Sequence, residues 1–232
     1  MSTVRLRPLV KSISPAFPVV FGYLPIGFAY GVLANNAGLS VFQTVLMSII
    51  VYAGSSQLIA VGLFAQAVEP ISIIITTFIV NLRHLLMSAA LAPYLRQWKN
   101  WQVFLFSFEI TDESFGIHSL RFEQGENQAG NSIRINMICQ TSWVLGSFLG
   151  AGAGTLITDI EVFALDYALP AMFIALLILQ IRKKTHVWVA VISAILSIML
   201  WVSGATQWHV IIATVIGATI GAGVETWQKK QS

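Results

Sequence analysis

The feature that most constrains the fold is a long stretch without charge near the start of the chain. Between Lys11 and Glu69 there is no Asp, Glu, Lys or Arg side chain. A transmembrane helix needs about 20 predominantly apolar residues, so this stretch is long enough for two spans. Over its 232 residues the chain is 56% hydrophobic and only 10% charged, whereas soluble domains are usually about 25% charged. The sequence therefore predicts a membrane protein.

Apolar windows, broken at charge clusters and at Pro/Gly turns, predict the fold class. It is all-α, a polytopic membrane helix bundle of about eight transmembrane helices, some of them broken. Seven spans with one re-entrant segment is the alternative. One transmembrane domain at 14–226 is expected between cytoplasmic tails at 1–13 and 227–232. No sequence repeat is evident, although inverted structural repeats can escape detection in sequence. The expected spans are 14–34, 41–67, 70–92, 101–120, 133–157, 163–181, 186–204 and 208–225.

The basic residues predict the orientation in the membrane. With eight spans both termini lie on one side, and that side then carries ten of the thirteen Lys and Arg residues. Arg96 and Lys99 fall on the opposite side, and Arg83 falls within a span. Cytoplasmic loops carry the excess of Lys and Arg, so both termini are expected in the cytoplasm of a bacterial inner membrane. The ten residues are Arg5, Arg7, Lys11, Arg121, Arg134, Arg182, Lys183, Lys184, Lys229 and Lys230.

Several functions are disfavoured by composition. The net charge of +3 comes from basic residues scattered at segment ends, so no nucleic-acid partner is expected. The single cysteine, Cys139, excludes an internal disulfide framework and a thiolate metal cluster. No HExxH-like zinc spacing occurs. No cofactor, metal or catalytic residue is expected.

Small residues recur four positions apart in three of the expected spans. Such stripes let helix backbones approach closely where lipid offers no hydrophobic drive. Packing within the chain is the expected role, and a surface for a partner subunit is the alternative. The stripes are Gly27/Gly31, Gly146/Gly150/Gly154 and Ala213/Gly217/Gly221.

Arg83 lies near the middle of the third expected span. A charge at that depth costs at least a few kcal/mol, so it normally faces the bundle interior and pairs with another group. The connection to the fourth span is short, which makes the two spans antiparallel neighbours. From the helical rise, Arg83 lies about 14 Å down, between Glu109 at about 12 Å and Glu113 at about 18 Å. An ion pair between the two spans is therefore predicted.

Three acids, Glu109, Asp112 and Glu113, lie in the fourth expected span within "FSFEITDESFG". Their spacing of i, i+3 and i+4 places them on one face of a continuous helix. One arginine does not neutralise three carboxylates, and burial with close like charges disfavours ionisation. At least one acid is expected to be protonated, as in a proton relay. The alternative is that Arg83 and one acid only hold two helices together. His84 either joins proton transfer or donates a hydrogen bond to a backbone carbonyl.

Two neighbouring spans carry signals for interrupted helices. In the second, Tyr52 and Gly54 precede Ser55, Ser56 and Gln57, a sequence at which a helix can unwind. An interruption is tolerated in a membrane when its backbone groups face protein or a cavity, and half-helix ends then suit the carboxylate and ammonium of a small zwitterion. Interhelical hydrogen bonds from Ser55 and Gln57 are the alternative. The first span has a similar signal at "GYLPIG", where Pro25 removes a backbone donor, and Pro170 is a weaker signal in the sixth.

Taken in order, "YLPIGFAYG", "YAGSSQ", "NLRH", "TDESF" and "LPAMF" resemble the AzlC family of azaleucine-resistance proteins. The resemblance covers nearly the whole membrane region. It implies export of leucine, isoleucine or valine across the bacterial inner membrane with a small AzlD-type membrane protein as partner. Some members carry an acid shortly before the arginine. In this chain the uncharged Asn81 lies near that position, so Arg83 is expected to find its acidic partner in the fourth span. The matching positions are Pro25, Gly27, Tyr52, Ala53, Gly54, Gln57, Arg83, His84, Asp112, Glu113, Phe115 and Pro170.

The resemblance implies an exporter of branched-chain amino acids, and the unbalanced charge at mid-depth predicts that it is coupled to protons. Arg83 and the half-helix ends are expected to hold the substrate carboxylate, while Asp112 and Glu113 carry the proton, supported by Glu109 and His84. Alternatives are an exporter or channel for another small hydrophobic zwitterion, an accessory subunit, and an intramembrane enzyme. The predicted substrate-binding residues are Arg83, Tyr52, Gly54, Ser55, Ser56, Gln57, Pro25 and Gly27.

Overall fold

The computed structural model describes residues 13–154, 156–157, 167, 170–171, 174, 177–178, 181, 184–204 and 209–231. The sixth expected span, the N-terminal tail and the basic residues at 182–183 lie largely outside this part. The chain divides into two compact units at Phe173 and Ile174. Its expected division into one transmembrane domain and two tails stays a prediction.

The described part of the first unit consists of helices joined by short turns and loops. A short 3-10 turn, Ser14–Ala16, leads into the first helix, and a second, Ala92–Leu95, follows the fourth. The helices are α1 (Phe17–Asn36), α2 (Val41–Ile50), α3 (Gly54–Ala65), α4 (Pro70–Leu91), α5 (Asn100–Phe108), α6 (Asp112–Glu123) and α7 (Ala129–Ala153).

The most extensive helix packing in this unit is between α1 and α7, and glycine makes it possible. A Cβ added at Gly27 would lie 2.9 Å from the carbonyl oxygen of Trp143, and one at Gly146 would lie 2.6 Å from that of Leu24. Backbones this close leave no room for a side chain. Packing within the chain, the expected role of these two stripes, is confirmed.

The expected break in the first span is wrong, because α1 runs unbroken through Pro25. Proline removes one backbone hydrogen bond, but membrane helices tolerate it when neighbouring groups accommodate the freed carbonyl. Gly27 and Gly31, which follow Pro25 along α1, pack tightly against α7. This packing keeps α1 helical beyond the proline.

Gly31→Ala is expected to lower the free energy of unfolding by about 1–3 kcal/mol, the usual effect of overpacking. Its Cβ would meet the Ala151 nitrogen at 2.5 Å and the Gly150 carbonyl carbon at 2.9 Å, both in the backbone of α7. Thermal unfolding of the detergent-purified protein measures the change. Gly22→Ala is the matched control on the same helix, since a Cβ there meets nothing within 4 Å. Equal unfolding temperatures for the two variants would contradict the close contact between Gly31 and α7.

The second expected span is interrupted, as "YAGSSQ" predicted. The α2 helix ends at Ile50, and α3 begins at Gly54. Tyr52 between them has φ 42°, in the left-handed region that side chains other than glycine rarely adopt. The Gln57 side chain accepts a hydrogen bond from the Ala53 backbone nitrogen at 3.3 Å, and the Ser56 hydroxyl donates to the Ala53 carbonyl at 2.9 Å. The backbone groups freed by the interruption are thus bound by the residues that follow it.

The fourth expected span is also interrupted, between Phe108 and Asp112. The prediction that the three acids share one face of a continuous helix is therefore wrong. Glu109 follows the last residue of α5, whereas Asp112 and Glu113 form the first turn of α6. The physical reason is a capping box, in which Thr111 accepts a hydrogen bond from the Ser114 backbone nitrogen and Ser114 accepts one from that of Thr111.

The two interruptions give this unit a repeated order of elements that the sequence did not reveal. A long helix is followed by two short ones in α1 to α3, and again in α4 to α6. The second short helix has 12 residues both times. In each of these helices the serine three residues after the N-cap donates its hydroxyl to the N-cap carbonyl, Ser56 to Ala53 and Ser114 to Thr111. The helix N-termini at the two interruptions therefore share this serine-to-carbonyl hydrogen bond, although only α6 has a capping box.

The second unit contains two helices among its described residues, α8 (Lys184–Val202) and α9 (His209–Gln231). They pack against each other at the third glycine stripe. Gly217 contacts Ser193, and a Cβ at Gly221 would lie 3.1 Å from Val189.

Within the described residues, three helical segments are long and apolar enough to cross a membrane, Ser14–Asn36, Pro70–Leu95 and Lys184–Val202. Shorter apolar helices include α2 and α3, the halves of the second expected span. The count of eight spans and the cytoplasmic placement of both termini stay predictions.

Candidate functional site

Arg83 of α4 lies between the N-termini of the two short helices α3 and α6. Its guanidinium Nη1 is 2.7 Å from Asp112 Oδ2, and its Nη2 donates a hydrogen bond to the Ser55 hydroxyl. The predicted ion pair between the third and fourth spans is thereby confirmed. The side chains of Arg83 and Asp112 keep 25% and 15% of their exposure, so the pair is only partly buried.

Tyr23 of α1 connects the second interruption to the first long helix. Its hydroxyl oxygen is 2.6 Å from Glu113 Oε2 and 2.7 Å from Thr111 Oγ1. The tyrosine therefore donates to the Glu113 carboxylate and stays next to the residue that caps α6. Because the Tyr23 ring also packs edge-on against Trp143, at 5.5 Å between centroids, α1, α6 and α7 meet at this point.

His84 holds the backbone of the second interruption. Its Nδ1 is 2.9 Å from the Ile110 carbonyl oxygen, so Nδ1–H donates to a carbonyl that helix geometry leaves free. Of the two roles considered for His84, hydrogen bonding to a backbone carbonyl is the one with a partner in the structure. A role in proton transfer stays a prediction.

Gln57 anchors the first interruption to α7 and α2. It is fully buried; its Oε1 accepts a hydrogen bond from Trp143 Nε1 at 3.1 Å, and its Nε2 donates to Ser48 Oγ at 3.1 Å. Ser48 donates in turn to Ser147 at 2.8 Å. These bonds match the alternative considered for Gln57, an interhelical contact, and they occur beside the interrupted helix.

Glu109 lies apart from the ion pair. Its side chain is 2% exposed, and its Oε2 has no hydrogen-bond partner among the residues that the structure describes. An ionised carboxylate in such a place lacks both water and a counter-charge, which is highly unfavourable. The three acids thus have three different environments: an arginine for Asp112, a tyrosine for Glu113 and, for Glu109, a buried site where Oε2 lacks a hydrogen-bond partner in the described part of the chain.

The remaining predicted substrate-binding residues are distributed around this site. Gly54 opens α3, with its Cα against the Trp143 indole; an added Cβ would lie 2.9 Å from that ring. Tyr52 is buried, with its ring 6.5 Å from that of Tyr23. Ser56 is buried and bonded to its own helix. Gly27 lies in the contact between α1 and α7, and Pro25 lies on the exposed side of α1. The site brings together Arg83, Ser55, Asp112, Glu113 and His84.

Sequence reasoning missed the polar face of α7. Residues three or four apart along this helix are buried and face the site or its supports, and helical spacing of polar residues in an apolar span is the signal that could have identified them. His118 was missed as well. The missed α7 residues are Ser132, Asn136, Trp143 and Ser147.

Comparison with known proteins places this site in a family. The AzlC protein family profile matches residues 18–157, which include both interruptions and Arg83. An uncharacterized membrane protein of Archaeoglobus fulgidus is 31% identical, over 89% of this chain and 91% of its own length. The inner membrane protein YgaZ of Escherichia coli K12 is 26% identical, over 89% of this chain and 84% of its own.

A third relative carries a transport name. The branched-chain amino acid transport protein AzlC of Bacillus subtilis 168 is 26% identical, over 73% of this chain and 66% of its own. No solved structure matches this chain. The family profile covers more than half of the chain, and the relatives are membrane proteins: the chain belongs to the AzlC family.

Proposed function

We propose that the protein is a secondary transporter that exports valine, leucine and isoleucine across the inner membrane in exchange for protons. The observation that carries the proposal is Arg83, held between the N-termini of two interrupted helices and still partly exposed. The family's link with branched-chain amino acid transport supports the substrate class. Both termini lie in the cytoplasm in this proposal.

The substrate carboxylate binds where the positive potentials of the site converge. A helix N-terminus carries a partial positive charge and free backbone N–H groups, and arginine offers a planar set of donors that suits a carboxylate. Asp112 occupies one side of Arg83 at 2.7 Å. The substrate carboxylate displaces Asp112 from Arg83, and the released acid then takes part in proton exchange.

The charges of the site also support coupling to protons. This region holds one guanidinium and three carboxylates, so its net charge with every acid ionised is about minus two. Glu109 and Glu113 are not within ion-pair distance of any cation among the described residues. A bound zwitterion brings no net charge to the site. Acids without a cation beside them are then the groups through which the site takes up and releases protons. We assign Asp112, Glu113 and Glu109 to the proton pathway on this basis.

The partner in this proposal is a small AzlD-type membrane protein, as the family resemblance implies. A test in cells feeds peptides rich in valine, leucine or isoleucine to a strain that lacks its own branched-chain exporters. Growth in their presence is expected to require both this chain and its small partner. Growth that does not depend on one of the two proteins would contradict the role proposed for that protein.

Proton coupling is tested in vesicles that contain the purified protein with its partner. A pH gradient, acidic on the side from which protons enter, is expected to drive [¹⁴C]leucine accumulation against its own gradient, whereas lysine is not accumulated. The double variant Asp112→Asn with Glu113→Gln is expected to abolish the response to the gradient. Leucine flux that ignores an imposed pH gradient and survives both substitutions would overturn the coupling. Equilibration without accumulation would identify a channel.

A further inference from the structure

The two short helices α5 and α6 lie side by side and run in opposite directions. Between the two helices, the Phe106 ring packs against the His118 ring with 4.9 Å between centroids. At the other end of the pair, the Trp98 ring lies 6.1 Å from that of Phe122, and Trp98 Nε1 donates a hydrogen bond to the Asn127 carbonyl at 2.9 Å. On one continuous helix, residues separated by 29 positions lie about 43 Å apart. The start of α5 and the end of α6 are therefore the base of a helical hairpin.

The helix α7 shows where the base of this hairpin lies. A Cβ added at Gly27 of α1 would be 3.5 Å from the Gly146 Cα of α7, and one at Gly31 would be 2.9 Å from the Gly150 carbonyl carbon. Residue numbers rise together along the contact, so α1 and α7 are parallel and begin at the same face of the membrane. Only residues 124–128 separate α6 from α7. The base of the α5–α6 hairpin thus lies at the face where α1 begins.

The pair α2–α3 has both of its ends at the opposite face. The segment that contains α1 and the segment that contains α4 are each long and apolar enough to cross a membrane. The α1 helix ends just before α2, and α4 begins just after α3 and ends at the base of the α5–α6 hairpin. Gln57 Nε2 of α3 donates to Ser48 Oγ of α2 at 3.1 Å, which joins the two arms close to their connection. The α2–α3 pair is therefore a second hairpin that enters from the other side.

The tips of the two hairpins meet at the candidate site. Residues 51–53 connect α2 to α3, and residues 109–111 connect α5 to α6. Arg83 donates to Ser55 beside the first tip and pairs with Asp112 beside the second. One hairpin thus lies between the site and each face of the membrane.

The positions of the basic residues support this arrangement. The connections at the face where α2 begins and α3 ends, residues 37–40 and 66–69, contain no Lys or Arg. Cytoplasmic loops carry the excess of these residues, so the face with the α5–α6 base is the cytoplasmic one. With eight spans, two basic residues fell on the opposite side, and with two hairpins they fall on the basic side. The basic residues near that face are Arg5, Arg7, Lys11, Arg96, Lys99, Arg121 and Arg134.

We propose that α2–α3 and α5–α6 are re-entrant hairpins that close the Arg83 site, the first from the outer face and the second from the cytoplasm. The expected spans 41–67 and 101–120 then do not cross the membrane. The elements α1 to α3 and α4 to α6 become inverted repeats, each with one spanning helix and one hairpin. The substrate reaches the site from one face only when the hairpin on that side moves. The arrangement of the hairpins is independent of the substrate, whereas their role as gates rests on the proposed function.

The arrangement is tested by labelling single cysteines in intact cells with a membrane-impermeant maleimide. Cys139 is the only cysteine and is buried, so Cys139→Ala gives the background, or the wild-type chain if that variant does not fold. Glu69→Cys is expected to be labelled from outside and Lys99→Cys only in inside-out vesicles, whereas eight spans predict the reverse for both. The controls are Asn36→Cys, outside in either arrangement, and Gln124→Cys, inside in either. Any other pattern at the two test positions overturns the inference and leaves the proposed function intact.

The role as a gate is tested by fixing the α2–α3 hairpin to α7. The Ser48 hydroxyl lies 2.8 Å from that of Ser147, so cysteines at both positions are close enough for a disulfide. Oxidation of Ser48→Cys with Ser147→Cys in the Cys139→Ala background is expected to abolish leucine transport in vesicles, and reduction is expected to restore it.

Ser48→Cys alone is the matched control, with equal rates expected before and after oxidation. Transport that continues after complete cross-linking overturns the gate. If the wild type does not transport leucine at all, the proposed function and the gate fail, and the labelling pattern still decides whether the two hairpins exist.

Discussion

Arg83→Gln is expected to abolish leucine transport in vesicles. Removing the guanidinium deletes the cation proposed to bind the substrate carboxylate and leaves Asp112 without its partner at 2.7 Å. The loss of one member of a hydrogen-bonded charge pair costs roughly 3 kcal/mol, or about a hundredfold in rate if it acts on transport alone. Initial rates of [¹⁴C]leucine uptake and counterflow measure the effect, and both are expected to fall together.

A charge-balanced double variant separates binding from packing. Arg83→Gln combined with Asp112→Asn removes both charges, so the protein is expected to recover the folding yield and unfolding temperature that Arg83→Gln loses. Transport is not expected to recover, because no cation remains for the substrate. Arg96→Gln, at an exposed arginine in the turn after α4, is the matched control. Recovery of transport in the double variant would show that the ion pair only holds α4 and α6 together.

The sequence was most informative at positions where one side chain has a large free-energy cost in the membrane unless it finds a partner. A lone arginine at mid-depth must find an acid, and Asn81 near it offers no charge, so the partner had to come from the neighbouring span. Asp112 is that partner. The interruption at "YAGSSQ" was predictable for a similar reason, because glycine and hydroxyl groups within an apolar run weaken the helix and offer substitutes for its hydrogen bonds.

The sequence was least informative about whether a helix continues or ends. Pro25 indicated a break in α1 that does not exist, since packing against α7 maintains the helix. Thr111 and Ser114 gave no comparable signal, yet their capping box starts a new helix and separates Glu109 from the other acids. A threonine and a serine three apart are also common within continuous membrane helices. In the structure the interruption is also held from another helix, by the hydrogen bond of His84 to the Ile110 carbonyl.

The interruption at Glu109 changes which acid is the best candidate for the proton. On a continuous helix the three carboxylates form one ladder beside Arg83. In the structure Asp112 is neutralised by Arg83 and Glu113 is bonded to Tyr23, whereas Glu109 is buried and its Oε2 has no hydrogen-bond partner among the described residues. Glu109 is therefore the acid whose charge is least compensated there, so its protonation state responds most to a change in the conformation around it.

Glu109→Gln is expected to uncouple transport from protons while leaving the site intact. The glutamine has the shape of a protonated glutamate, and because Glu109 is not part of an ion pair among the described residues, no other charge loses its partner. Counterflow of leucine at equal pH is expected to stay within about threefold of the wild type, whereas accumulation driven by a pH gradient is lost. The pH dependence of net flux is expected to flatten, because the group that must release its proton no longer titrates.

Comparison with Asp112→Asn and Glu123→Gln makes this result specific. Asp112→Asn removes the partner of Arg83 and is expected to impair counterflow as well as accumulation, since an uncompensated guanidinium remains at the binding site. Glu123→Gln, at an exposed acid at the end of α6, is expected to change neither. If Glu109→Gln still accumulates leucine in response to the pH gradient, the proton does not pass through Glu109. Coupling then depends on Asp112 or Glu113.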